Sequence, residues 1–241
     1  MKNVLITGAT SGIGKALVGE YCKAGFSVYA CGRDKKKLNE LTQQFGNVSI
    51  LQFDVCDRQQ VLAIAEQIND LDHLILNAGN CEYMDNARQF DSELFERVIH
   101  VNLISVGYCL DALLKKVVQG GQVGLVSSSV TYLPFSRAQA YGASKSALNY
   151  LAHSLSIDLA SEKIGVSLIQ PGFVKTPLTD KNTFSMPAQV SAEYAAEKIF
   201  KGMQKAKLHI RFPAFFIFSL QALACLPFIL WQKLAILMVS K

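Results

Sequence analysis

The sequence predicts a doubly wound α/β fold, a single parallel sheet of about seven strands covered by helices on both faces. Three observations predict it. Seven short, continuously apolar runs recur along the 241 residues, at 2–7, 26–32, 48–55, 72–79, 122–128, 166–172 and 207–212. Helix-length segments separate them, the pattern of strands joined by crossovers in a sheet buried on both sides. A glycine-rich turn joins the first run to the first helical segment. The length suits one α/β domain, with no repeat and no dividing linker.

Composition narrows the function classes. The net charge of +5 is too mild for a nucleic-acid partner, and no basic run is interleaved with aromatics. The six cysteines form no C-x-x-C pair and no metal-ligand spacing with the four histidines. No metal is expected, and reduced thiols point to a cytoplasmic compartment. Met1-Lys2-Asn3 leads directly into the first strand, so no signal peptide is expected.

In order, the first strand runs into Gly8-Ala9-Thr10-Ser11-Gly12-Ile13-Gly14 and then a helix. Backbone N–H groups and the helix dipole hold a pyrophosphate in that context. The second strand ends in Cys31-Gly32-Arg33-Asp34. An acidic group there would accept from a ribose 2′-hydroxyl, whereas an arginine pairs with a 2′-phosphate. The third run closes on Asp54-Val55 and the fourth on Asn77-Ala78-Gly79. A long helical pattern from Ser92 to Val118 carries Asn102, mildly unfavourable inside a helix. Ser127, Ser128 and Ser129 end the fifth run, where a hydroxyl is well placed to hold a substrate oxygen. Tyr141 and Lys145, four apart, share one face of the next helix. A cation beside a phenol favours the phenolate and moves it toward the working pH of a cell. The sixth run ends in Pro171-Gly172-Phe173-Val174-Lys175-Thr176, and residues 177–190 read as a mixed surface loop.

These motifs, G-x-x-x-G-x-G, N-A-G, Y-x-x-x-K and P-G-x-x-x-T in this order, resemble the short-chain dehydrogenase/reductase family from residue 1 to about 211. The resemblance implies a Rossmann-type fold and hydride transfer between a nicotinamide and a carbonyl or secondary alcohol. Tyr141 would be the acid/base and Lys145 would hold the nicotinamide ribose. Ser128, selected from the three serines by the family's serine-to-tyrosine separation, would hold the substrate oxygen. Asn102 would distort its helix and complete a proton relay through water. Cofactor contacts are implied for Gly8, Thr10, Ser11, Gly12, Ile13, Gly14, Arg33, Asp54, Val55, Asn77, Ala78, Gly79, Tyr141, Lys145, Pro171, Gly172, Val174 and Thr176. Gly32 stands where NAD-preferring relatives carry aspartate and Arg33 matches NADP-preferring ones, so NADP is expected, with NAD as the alternative. Residues 177–190 would be the substrate lid. A homodimer, or a larger homo-oligomer, is expected through the long helices around Asn102 and Tyr141. The alternatives in function are an NAD-linked alcohol dehydrogenase and an idle NADP-binding sensor or scaffold.

The tail, 212–241, stands apart from the 1–211 catalytic unit. No charged residue falls between Phe212 and Gln232, and Pro213 and Pro227 divide the run. Two short helices are expected rather than one span. Lys198, Lys201, Lys205, Lys207 and Arg211 precede it and would form a cationic patch beside it, as on a protein lying on the inner face of a membrane. Packing on a second subunit, or walling a lipophilic substrate pocket, are the competing readings. The tail points to a lipophilic substrate.

Overall fold

The computed structural model describes residues 1–182 and 184–239, with Val239 described for its backbone alone. Thr183 in the expected lid, and Ser240 and Lys241 in the expected tail, lie outside the described residues. Strands β1 (Asn3–Ile6), β2 (Ser27–Gly32), β3 (Val48–Gln52), β4 (Leu71–Leu76), β5 (Val117–Val126), β6 (Gly165–Pro171) and β7 (His209–Phe212) form one sheet. Their order is β3-β2-β1-β4-β5-β6-β7, every neighbouring pair parallel. The chain reverses its direction of travel between β1 and β4, which opens a crevice at the carboxyl ends of the strands.

Nine α-helices follow among the described residues: α1 (Gly12–Lys23), α2 (Lys35–Gln44), α3 (Arg58–Ala65), α4 (Ser92–Ile99), α5 (Ser105–Leu113), α6 (Gln139–Asp158), α7 (Ala192–Gln204), α8 (Ala214–Ala224) and α9 (Phe228–Val239). Alternation along the strands feeds two cores. Leu5, Leu74, Leu125 and Leu168 pack with Val61, Val106, Leu113 and Leu148 of α3, α5 and α6. Val4, Ile6, Ile75 and Ile169 face the other way, onto Leu17, Leu38, Ile199 and Met203 of α1, α2 and α7. Each fully buried aliphatic side chain contributes roughly 1.5–3 kcal/mol.

Helix starts follow the capping chemistry of the sequence. Asp34, Asp57, Asp91 and Ser191 accept from first-turn N–H groups of α2, α3, α4 and α7. At α1 the N-cap Ser11 makes no such bond, so its first-turn N–H groups remain without a side-chain cap at the crevice.

Two expectations are corrected. The helical pattern of 92–118 stops at Lys116, and β5 begins at Val117, five residues before the apolar run that marks the strand. Val117 and Val118 are β-branched, and Val117 pairs with Leu71. A register shift between Leu71 and His73 and the positive φ of Gly120 absorb the added length. The continuous helical stretch Ser92–Lys116 is long and apolar enough to cross a membrane, yet Val106, Cys109 and Leu113 pack into the core. The second correction concerns the lysines. Lys205 and Lys207 precede the amino end of β7, whereas α8 leaves its carboxyl end, roughly 13 Å away along four strand residues. Lys201 pairs with Glu197 and Lys198 covers the Tyr194 ring. The four lysines therefore do not border the tail; of the expected patch Arg211 alone stays beside it, over the Tyr132 ring.

Candidate active site

The crevice is a cavity of about 490 Å³. The glycine-rich turn lines it with Gly8, Thr10, Ser11, Gly12 and Ile13, and the ends of β2 and β3 contribute Arg33, Asp54 and Val55. Asn77, Ala78 and Gly79 follow β4, Ser128 follows β5, and Tyr141 and Lys145 come from α6. Pro171, Gly172, Val174 and Thr176 close the far side. Two of the residues expected in the site stand behind the lining. Gly14 backs the turn so closely that a methyl there would lie 2.1 Å from the Gly8 carbonyl oxygen, and Asn102 is fully buried.

At the β2 end, Arg33 is largely exposed and its Nη1 lies 3.4 Å from Asp54 Oδ2. Asp34 turns away: its carboxylate caps α2 through Lys37 N, and that bond holds its pKa below the usual carboxylate value. A methyl on Gly32 would meet Thr10 Cγ2 at 2.6 Å, so a larger side chain at that position requires Thr10 to shift. Thr7 was not singled out by the sequence, yet its hydroxyl accepts from Asn77 N at 2.9 Å and Ala78 N at 3.0 Å. It fixes the N-A-G turn against the glycine-rich turn, which the Asn77 side chain also grips through the Thr7 carbonyl.

At the β5 end, the three serines separate by environment. Ser127 donates to Asn149 Oδ1 and Ser129 is buried, while Ser128 faces the cavity beside Tyr141, its hydroxyl accepting from Val130 N at 3.2 Å. Lys145, 4% exposed, donates to the Val126 carbonyl at 2.8 Å, and its Nζ lies 5.9 Å from the Tyr141 ring centroid. The helix carrying Asn102 opens into a π turn over His100–Ile104, a local widening frequent at functional sites. Asn102 bonds Asn80 twice and donates to Ser144 Oγ, which donates in turn to the Tyr141 carbonyl. Asn80 and Ser144 escaped sequence reasoning because polar residues beside a motif carry no spacing signal.

The electrostatics correct one expectation. Burial pushes the Tyr141 phenol up from its ordinary value; the nearby Cys81 thiol adds to this and the Ser128 hydroxyl opposes it. Burial also brings Lys145 down to about 8, against a smaller opposing effect of Cys81. The protein alone therefore does not make the phenol acidic, because the same burial that encloses it weakens the cation beside it. Among the described residues no group of three or more His, Cys, Asp or Glu side chains is arranged to hold a metal.

The short chain dehydrogenase family model matches residues 2–186. An uncharacterized oxidoreductase of Myxococcus xanthus is 31% identical over 223 residues, covering 88% of this chain and 87% of its own. A 3beta-hydroxysteroid dehydrogenase of Mediterraneibacter gnavus is 30% identical over 205 residues, 81% of this chain and 74% of its own. Among solved structures, a short-chain dehydrogenase from Sphingobium yanoikuyae in complex with NADPH superposes with a TM-score of 0.79 at 25% identity, covering 89% of each chain. With its seven-stranded parallel sheet, its crevice and these relatives, the chain belongs to the short-chain dehydrogenase family and is an oxidoreductase of that family.

Proposed function

We propose that this oxidoreductase is NADP-dependent and interconverts a lipophilic carbonyl compound with its secondary alcohol. The observation that carries the reading is one cavity with the Ser128–Tyr141 pair and Lys145 at one end and Arg33 at the other. The residues fit a dinucleotide. The α1 N-terminus has no side-chain cap and faces the cavity, and Gly14 leaves the turn its close approach. When bound, the nicotinamide supplies the hydride in reduction and takes it up in oxidation.

Ser128 holds the substrate oxygen, and Tyr141 gives that oxygen its proton in reduction or removes it in oxidation. Lys145 holds the nicotinamide ribose. Asn102 orders a water behind Lys145. Arg33 exchanges its exposed Asp54 partner for a 2′-phosphate, a stronger charge-assisted contact, and Asp34, committed to the α2 cap, does not compete for the ribose. NADPH in the Sphingobium relative supports this choice.

Support for a lipophilic substrate comes from aromatic side chains beyond Gly172, where Phe173 lies 5.7 Å from Phe216 and 6.1 Å from Phe184. The steroid-dehydrogenase relative accords with it. Exposed Ile104, Tyr150 and Ile157 on the α5 and α6 side favour pairing of two copies there. Six free cysteines fit the reducing cytoplasm, and the apolar tail favours a membrane surface within it.

The test is NADPH and NADH titration of the wild type, Arg33→Ala and Tyr141→Phe, with turnover of a ketone series. Arg33→Ala should lose tenfold or more in NADPH affinity, by roughly 1.5–3 kcal/mol, with NADH unchanged. Tyr141→Phe should bind NADPH normally while turnover falls by roughly 10²–10⁴. Equal binding of both cofactors by the wild type, or near-normal turnover of Tyr141→Phe, refutes the reading.

A further inference from the structure

Helices α8 and α9 present two different surfaces. Their inner side packs beside Gly172 at the edge of the crevice and on the loop between Ser128 and Tyr141. Phe216 lies so near Gly172 that a methyl there would meet Cδ1 at 2.9 Å, and its ring packs on Phe173. Trp231, 4% exposed, donates from Nε1 to the Pro134 carbonyl at 2.9 Å and packs on Phe135, with Leu133 and Leu220 around it. Pro134 and Phe135 lie in the segment that joins Ser128 to Tyr141.

The outer side is apolar and uncovered. On α8, Phe215 and Phe218 are 83% and 70% exposed. On α9, Phe228, Ile229, Leu230, Leu234, Leu237 and Met238 are 42–67% exposed. At roughly 100° per residue those six point round almost the whole circumference. Trp231 and Ala235 form the stripe that packs on the protein. Gln232 and Lys233 interrupt it, and a helix otherwise apolar round its outer side belongs in an apolar surround, with the Lys233 ammonium reaching out to the headgroups. A second copy of the chain would cover one side of it; an acyl layer covers all of them. Neither helix spans a bilayer, since 11 and 12 residues reach about 17–18 Å against a core of about 30 Å. Charge fits the same occupant: no acidic residue follows Glu197, and Lys233 stands exposed on α9.

We infer that α8 and α9 embed in one leaflet of an anionic phospholipid bilayer and that the substrate reaches Tyr141 from the lipid, past Phe216. The inference rests on the proposed function for the identity of the reaction, and it adds the site of substrate entry. Immersion places the mouth at Phe173 and Phe216 against the acyl layer, so a ketone dissolved there need not cross water to reach Ser128 and Tyr141. Trp231 holds the embedded helix to the loop between those two residues.

The experiment uses the full-length chain with extruded vesicles of phosphatidylcholine mixed with phosphatidylglycerol. Wild-type protein should float with the vesicles, and acyl-brominated lipid should quench Trp231, the only tryptophan. The variant Ile229→Gln/Leu230→Gln/Leu237→Gln changes exposed positions alone, so NADPH binding should persist while vesicle partitioning falls roughly a hundredfold or more. Vesicles should raise kcat/KM for a long-chain ketone in the wild type and not in the variant, and leave a small water-soluble ketone unaffected in both. Wild type that binds NADPH and reduces the soluble ketone yet stays in the aqueous phase overturns the inference and leaves the proposed function standing. A dimer that the triple variant dissociates also overturns it, by giving the tail to a second copy. Flotation without NADPH binding would overturn the substrate route and the proposed function together while upholding the lipid-facing surface.

Discussion

Asn80 and Asn102 hold each other through two hydrogen bonds, from the Asn80 N–H to Asn102 Oδ1 and from the Asn102 amide to the Asn80 carbonyl, each 2.8 Å long. Both engage the backbone of Asn80, so the identity of residue 80 matters less than that of residue 102. Asn102→Ala leaves the partly buried N–H and carbonyl of Asn80 without these partners, removes the buried bond to Ser144, and should destabilise the fold by roughly 1–2 kcal/mol. Asn80→Ala removes only the side-chain bond to Glu82 and should cost under about 1 kcal/mol. Urea unfolding of both variants checks this; equal midpoints would mean the paired bonds contribute nothing.

Lys145 makes the cofactor-free protein respond to alkali. Its folded pKa, about 8, lies below the unfolded value near 10.4. Below pH 8 both states are charged and the folded state bears the whole cost of the buried cation. Between about pH 8 and 10.4 the unfolded state binds more protons, so stability rises with pH, by an amount on the order of 3 kcal/mol. Lys145→Met should lack this rise. Burial raises the thiols of Cys22, Cys31 and Cys109, which lose stability over the same window, so the difference between wild-type and Lys145→Met midpoints decides it, and a difference that does not change with pH contradicts the depressed pKa.

Most of the fold was legible because its signals are local. Seven apolar runs mark the seven strands, and the glycine turn and helix caps depend on residues a few positions apart. At the site, the Tyr141–Lys145 spacing and the serine triplet could be read, and Ser128 was selected among the three by the resemblance's serine-to-tyrosine separation alone, whereas the structure separates them by neighbours, Ser127 being held by Asn149. Thr7 and Ser144 were illegible for a related reason: their partners, Asn77 and Asn102, lie 70 and 42 positions away. The cationic patch failed because sequence proximity to the tail ignored the length of β7, which sets Lys205 and Lys207 at the opposite end from α8.

Gly79 keeps open the gap between Asn102 and Lys145. A methyl there would stand 3.2 Å from Asn102 Oδ1 and 3.4 Å from Lys145 Nζ, where a water could bond both. Gly79→Ala should therefore fold and still bind NADPH, while turnover falls roughly ten- to a hundredfold as the relay loses its water. Single-turnover rates with saturating NADPH separate this from a binding defect. Unchanged rates would assign the gap no part in proton transfer.

Gly32 sets a steric condition on cofactor choice. Introducing the aspartate that would favour NAD drives its Cβ into Thr10 Cγ2, at 2.6 Å. Gly32→Asp alone should lose roughly 1–3 kcal/mol of stability through overpacking and weaken both cofactors rather than exchange one for the other. Adding Thr10→Ser removes the offending methyl and keeps the hydroxyl. The double variant should recover its thermal midpoint and bind NADH over NADPH, because the new carboxylate then accepts from the ribose 2′-hydroxyl and repels a 2′-phosphate. Fluorescence titration with both cofactors, alongside the melting curves, tests each half. An NADH-preferring single variant of undiminished stability would show that Thr10 yields freely, and the preference would then rest on Arg33 alone.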